Sequence, residues 1–187
     1  VKDNIIERIV DELEASSDYQ NRRQSIIAHN AKGGIIRKGI ALTPVKFGIS
    51  FTATWYNQAG ALIHVYNDGS IHLNHGGTEM GQGLLTKVQQ IVASAFGVST
   101  ALVQVSATAT DKVPNTSPTA ASSGTDLNAM AALDAANQIK ARLIAFLTQG
   151  DVVGPVDFSD GKVRQGDVTW DWADLIQAAY LNRVSLS

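Results

Sequence analysis

The 187-residue chain carries 15 Lys and Arg against 17 Asp and Glu, a net charge of −2 that gives no electrostatic case for nucleic acid or an anionic membrane as partner. Hydrophobic residues make up 44% and charged ones 17%, a globular balance sufficient for one domain or two small ones, and no apolar run reaches the roughly 18 residues of a membrane span. With no Cys, this segment holds no disulfide, thiolate catalyst, Cys-ligated zinc or iron–sulfur cluster, and a reducing, cytoplasmic setting is the expectation.

The opening "VKDNIIERIV" has no initiating Met and no signal pattern, so a piece of a longer chain is expected. Ile5, Ile6, Ile9, Val10 and Leu13 recur at helical spacing behind Asp3 or Asn4 as N-cap. A second, more polar helix follows and stops at Gly33-Gly34. From Ile35 to Thr54 the sequence is rich in Ile, Val, Phe and Thr and predicts strands. "ALIHVYNDGSIHLNH" predicts a hairpin around Asn67-Asp68-Gly69. Leu84, Leu85, Val88, Ile91, Val92, Ala95 and Phe96 then line one helical face, closed by Gly97. "LVQVSAT" reads as a short strand, and "TDKVPNTSPTAASSGT" as a polar loop. An Ala-rich helix runs from about Asp126 to Leu147, anchored by Leu127, Met130, Ile139, Leu143 and Leu147. A β stretch surrounds "GKVRQGDVTW", and a last helix from Asp171 stacks Trp172, Leu175, Ile176, Ala179 and Tyr180. The fold class expected is α+β, one partial domain with a hairpin–helix–strand–helix core. Residues 1–34 would be flanking helices, 35–150 the core block and 151–187 a C-terminal helix segment.

"HGGTEMGQG", residues 75–83, puts four glycines in nine residues between a strand and a helix. Free N–H groups at a helix start favour an anion. Yet the residues spell neither a P-loop nor the dinucleotide fingerprint, since Leu85-Thr86 stands where the third glycine belongs. Gln82, between Gly81 and Gly83, offers an amide that donates and accepts. Two readings remain open: a tight turn with Gln82 in solvent, or a backbone that something approaches closely.

In Pro114–Gly124, small side chains precede the Ala-rich helix, with Ser122 or Ser123 as cap. Such a stretch suits either an ordinary surface loop or a ligand reaching the backbone. In "KFGISFT", Phe47 and Phe51 read by periodicity as core strand residues. His72, His75 and Glu79 could be imagined as a zinc triad, but nothing holds them on one face, and no metal ligands are assigned.

The blocks "PVKFGISFTATWYNQAGALIHVYNDGSIHLNHGGTEMGQG" and "VPNTSPTAASSGTDLN", in this order and spacing, resemble the molybdenum-cofactor subunit or domain of the xanthine dehydrogenase and xanthine oxidase family. The resemblance covers roughly Lys38 to Leu147, with the ends fitting more loosely. It implies that Gly81, Gln82 and Gly83 lie against the molybdenum-molybdopterin cofactor, with Gln82 hydrogen-bonding it. Ala120, Ala121 and Ser122 would lie beside the cofactor and, for the two alanines, the substrate pocket. Phe51 would stack on a purine and Thr52 hydrogen-bond it, which displaces the core reading of Phe51 but not that of Phe47.

The implied reaction is hydroxylation of hypoxanthine and xanthine to urate, with water as oxygen source. Electrons would leave through two [2Fe–2S] clusters to FAD on other domains or subunits. No block here matches the family's catalytic glutamate, its second stacking phenylalanine or its substrate-orienting arginine, so no catalytic residue is assigned and the chain alone is expected to be inactive. Implied partners are the purine and the rest of the enzyme, and isolated from these the chain is expected to self-associate. An aldehyde-oxidising relative is the alternative within the class, though "ISFT" favours a purine. A non-catalytic ligand-binding or scaffold module is the alternative outside it.

Overall fold

A computed structural model of the chain describes residues 4–45, 47–49, 51–112, 116–149 and 154–187. It divides into two compact units, Val1–Gly48 and Ile49–Ser187. In the first, α1 (Ile6–Ser16) and α2 (Tyr19–Ala31) bury no residue. The backbone enters α1 at Ile5, and Asn4 Oδ1 accepts a hydrogen bond from the Ile6 N–H at 3.3 Å. Asp3, the alternative cap, lies outside the described residues.

The strands expected over 35–54 do not form among the described residues. Strand propensity reflects fit to a pleated, half-buried surface, and no ladder forms here to supply one. Ile35 is 102% exposed and Phe47 71%, so Phe47 is not a core residue of this chain. Ser50 of the "ISFT" block lies outside the described residues.

The second unit holds the core. Strands β1 (Ala61–Val65) and β2 (Ile71–His75) form the expected hairpin, with Ile63 opposite Leu73. Asp68 Oδ1 accepts from Ser70 N–H at 2.9 Å and Gly69 takes φ +84°, a turn conformation that glycine adopts without strain. After β2 the chain crosses through α3 (Leu84–Phe96) to β3 (Val103–Val105), which pairs parallel to β2. The long α4 (Gly124–Leu147) packs on α3 and on the hairpin. A second antiparallel sheet, β4 (Val156–Ser159), β5 (Lys162–Gln165) and β6 (Val168–Asp171), leads into α5 (Trp172–Leu181).

One cluster joins the elements of this unit. Ile63, Val65, Ile71 and Leu73 face Leu84, Val88, Val92 and Phe96, with Ala132, Ala136, Ile139 and Leu143 of α4 and Trp172, Leu175 and Ile176 of α5 around them. Three of the six residues in the buried stripe of α4 are alanine, small enough for the helix to pack closely on its neighbours. Met130, expected as an anchor, is 63% exposed because that stripe runs through Asn128, Ala129 and Ala132 instead. Tyr180 is also exposed, Ala179 filling the core at that end of α5. The architecture is α+β, as its period-2 and period-3.6 segments predicted. Among the described residues no helix is long and apolar enough to cross a membrane.

Candidate functional site

The glycine loop leaves β2 at His75 and is shaped by its own side chains. His75 is 1% exposed, and its Nδ1 accepts the Gly77 N–H at 3.1 Å. Thr108 Oγ1 donates to the Gly77 carbonyl at 2.8 Å. A Cβ on Gly77 would stand 2.5 Å from Leu84 Cδ2 and 2.8 Å from Asn128 Nδ2, so any side chain here would have to displace those two buried groups. Burial pushes the His75 imidazole down, keeping it neutral. His72 and His75 sit an odd number of residues apart on β2 and so point to opposite faces. Among the described residues no cluster of three metal-ligating side chains exists.

Of the two readings left open for the start of α3, the structure does not offer an open anion site. Glu79 Oε1 accepts the N–H groups of Gly81 and Gly83, each at 2.9 Å, and Oε2 accepts that of Leu85 at 3.0 Å. These backbone bonds hold its carboxyl below the usual glutamate range, Leu85 and Gly83 contributing most. A carboxylate of the protein thus occupies the position in which a bound anion would sit.

Gly81 and Gly83 are required for another reason, with φ of +94° and +76°. A Cβ on Gly81 would meet nothing within 4 Å, and one on Gly83 only Lys87 Cε at 4.0 Å. Both therefore present bare backbone to open space. Between them, Gln82 is exposed and its amide turns back on the loop. Its Oε1 accepts from Met80 N–H at 2.6 Å and its Nε2 donates to the Thr78 carbonyl at 2.9 Å. One Nε2 hydrogen and one Oε1 lone pair remain beyond these two bonds.

Thr78 ties this loop to the second small-residue segment, because its N–H donates to Thr119 Oγ1 at 2.8 Å. Directly beyond, Ala121 and Ser122 take φ of +54° and +55°, a left-handed pair without glycine. Each such residue costs about 1–2 kcal/mol. Ser123 enters α4 as its N-cap without a side-chain cap bond, and its hydroxyl donates to the Ala120 carbonyl at 3.0 Å. Pro114 and Asn115 lie outside the described residues.

Ala120 also lines an apolar cavity of about 280 Å³, together with Phe51, Tyr56, Asn57, Ser117, Pro118 and Ser123. Phe51 is 42% exposed and meets Tyr56 edge to face, ring centroids 6.0 Å apart. Asn57 Nδ2 donates to the Phe51 carbonyl at 3.2 Å, and Ser117 N–H to the Gln58 carbonyl at 2.9 Å, which pins the two walls together. Of the residues named from the sequence, the structure brings Phe51 and Ala120 to one cavity and links it through Thr119 and Thr78 to Gln82. Thr52, Ala121 and Ser122 are not part of that lining. Sequence reasoning missed Glu79 as a clamp and Tyr56 as a wall. The signal for Glu79 was a carboxylate four residues before the helix-opening Gly83; Tyr56 had no comparable signal.

Residues 12–187 match the family model described as "Molybdopterin cofactor-binding domain". The chain is 44% identical over 182 residues to a xanthine dehydrogenase of Drosophila pseudoobscura pseudoobscura, covering 97% of this chain and 12% of that protein. It is 52% identical over 143 residues to a xanthine dehydrogenase of Dictyostelium discoideum, covering 76% and 10%. With a xanthine dehydrogenase/oxidase of Gallus gallus it shares 42% over 182 residues, covering 97% and 12%. The chain thus spans about 12% of the length of most of these relatives. Among solved structures, quinoline 2-oxidoreductase from Pseudomonas putida 86 superposes with a TM-score of 0.63 at 20% identity, covering 95% of this chain and 25% of that one. A Cu,Mo-CO dehydrogenase gives 0.61 at 23%, covering 69% and 18%, and both likenesses speak to the fold alone. Matched over nearly its whole length by the family model and by relatives above 40% identity, the chain belongs to the molybdopterin cofactor-binding domain family.

Proposed function

We propose that the chain is the part of a xanthine dehydrogenase-type molybdenum hydroxylase that supplies one wall of the cofactor site and one wall of the purine pocket. The observation that carries this reading is the linkage of the Phe51–Tyr56–Ala120 cavity, through Thr119 and Thr78, to the loop bearing Gln82. The residues present fit the cofactor. Gly81 and Gly83 leave bare backbone facing open space, and Gln82 keeps a donor and an acceptor in excess. With Glu79 filling the α3 terminus, the loop suits a neutral, hydrogen-bonding edge of a pterin rather than its phosphate.

Gln82 would hold that edge, with Gly81, Gly83 and the Ala120–Ser122 backbone allowing close approach. When bound, the molybdenum cofactor supplies the redox chemistry that hydroxylates a purine carbon. The chain's own share is binding and orientation. Phe51 offers an aromatic face in an apolar surround to a planar heterocycle, and the hydrogen-bonding role that the resemblance gives Thr52 would require it to act from outside that lining. Purine catabolism in the cytoplasm and FAD on another part of the enzyme complete the reading, and the [2Fe–2S] clusters would also lie elsewhere, since no Cys is available here to hold them. The names of the relatives favour xanthine over an aldehyde as substrate.

The test is metal analysis of the full-length protein together with urate formation from xanthine. Molybdenum at about one atom per chain with purine turnover supports the reading. Turnover of aldehydes but not purines sinks the substrate assignment, and a molybdenum-free, inactive full-length protein supports the scaffold alternative. The exposed Ile5, Ile9, Leu13 and Ile27 of the first unit support self-association of the isolated chain, which light scattering measures.

A further inference from the structure

Glu79 lies two residues before Gly81 and reaches its carboxylate forward along the chain, toward the start of α3. Its Oε1 spans the N–H groups of Gly81 and Gly83, the residues on either side of Gln82, at 2.9 Å each. Its Oε2 fixes the first turn of α3 through Leu85 at 3.0 Å. Hydrogen bonds to an ionised acceptor are stronger than neutral ones. The two glycines it holds are the ones that flank Gln82 and take left-handed φ, +94° and +76°. No other side chain bonds these two amides among the hydrogen bonds of the described residues. Among the described residues the Gln82 side chain bonds to Thr78 and Met80 of the same loop and to nothing outside it. Those two bonds aim the amide, and the backbone from which the side chain starts is the Gly81–Gly83 turn that Glu79 grips.

We infer that Glu79 is a positioning residue for Gln82, a carboxylate clamp that fixes the Gly81–Gly83 turn and thereby the direction in which the glutamine amide meets the cofactor. This rests on the reading that Gln82 faces that group. The clamp also explains how the two glycines around Gln82 are held without the conformational spread they would otherwise confer. It excludes a second anion from the α3 terminus at the same time.

Glu79→Gln and Glu79→Ala in the full-length holoenzyme test it. Glutamine keeps one acceptor oxygen but turns its NH2 group against an N–H donor; alanine removes every bond. Both variants are expected to keep their molybdenum and a KM within about twofold of wild type, while kcat falls about 10- to 100-fold, the size of effect that a small misplacement near a reacting centre produces. The electron paramagnetic resonance signal of the reduced molybdenum centre is expected to change. Amide hydrogen exchange in the 79–86 peptide is expected to speed up, a readout that requires no turnover.

A kcat within twofold of wild type at full loading overturns the inference. So does loss of molybdenum in step with the melting temperature, which would make Glu79 merely structural. Unchanged exchange at 79–86 in Glu79→Ala overturns the clamp itself. If wild-type protein carries no molybdenum, the proposed function fails instead, and the exchange measurement still decides whether Glu79 holds the turn.

Discussion

Gly81→Ala, paired with Gly161→Ala, asks whether anything comes close to the bare backbone of the glycine loop. Gly81 has φ +94° and Gly161, in the β4–β5 turn, φ +69°. A Cβ at either position meets no protein atom within 4 Å. Both substitutions should therefore cost only backbone strain, about 1–2 kcal/mol each, seen as a similar drop in unfolding midpoint. If a cofactor lies on the loop, the Gly81 methyl also meets it. An inserted methyl in a packed contact costs about 1–3 kcal/mol, roughly a 5- to 150-fold weaker retention. The assay is the molybdenum-to-protein ratio of the full-length variants after dialysis, beside their thermal midpoints. Gly161→Ala is expected to remain loaded and Gly81→Ala to be depleted. Equal loading of the two would refute the claim that the space beside Gly81 is where the cofactor lies.

Gly97→Ala should be far more damaging, because at φ +65° its Cβ would overlap the Phe158 carbonyl oxygen at 2.3 Å. Strain and overpacking together predict a loss of roughly 2–5 kcal/mol by denaturant unfolding, and a loss under about 1 kcal/mol would mean that the β4 strand yields freely. Trp172→Phe removes the buried Nε1–H donor to the Gly69 carbonyl at 2.8 Å, with an expected cost of about 1–3 kcal/mol and little effect on loading. His75 is held neutral by burial, whereas the unfolded chain takes up its proton at the ordinary value. Its contribution to stability is therefore complete above about pH 6.5 and declines as pH falls through that value toward the lowered folded one. The midpoint of His75→Gln should fall less steeply over that window, and identical slopes would place the acid sensitivity elsewhere.

The hairpin over 61–75, the helix ending at Gly97 and the helix opening at Asp171 were legible because each is written in local terms: a period of 2 or 3.6, a turn dipeptide, a glycine stop. The failures share one cause. The 35–54 segment has the composition of strands, but a strand exists only with a ladder partner, and composition cannot supply one. Met130 fits a helical apolar face in sequence, yet its neighbour Ala129 turned out to face the core. Family resemblance pointed to Gln82, Phe51 and Ala120 without showing how they relate.

The sequence by itself determined which segments are helical or hairpin, the absence of sulfur chemistry and the family's signature blocks, since these depend on neighbours a few residues apart. Only the tertiary structure decided that Phe51 and Ala120 share a cavity, that Thr119 fastens one loop to the other, and that Glu79 rather than a ligand fills the start of α3. The first two contacts join residues distant in sequence, and the third requires the chain to reverse on glycines whose φ no local pattern specifies. The first two pairings become favourable only once the core beneath them is packed, and the residues that would need to encode them sit too far apart for periodicity to register.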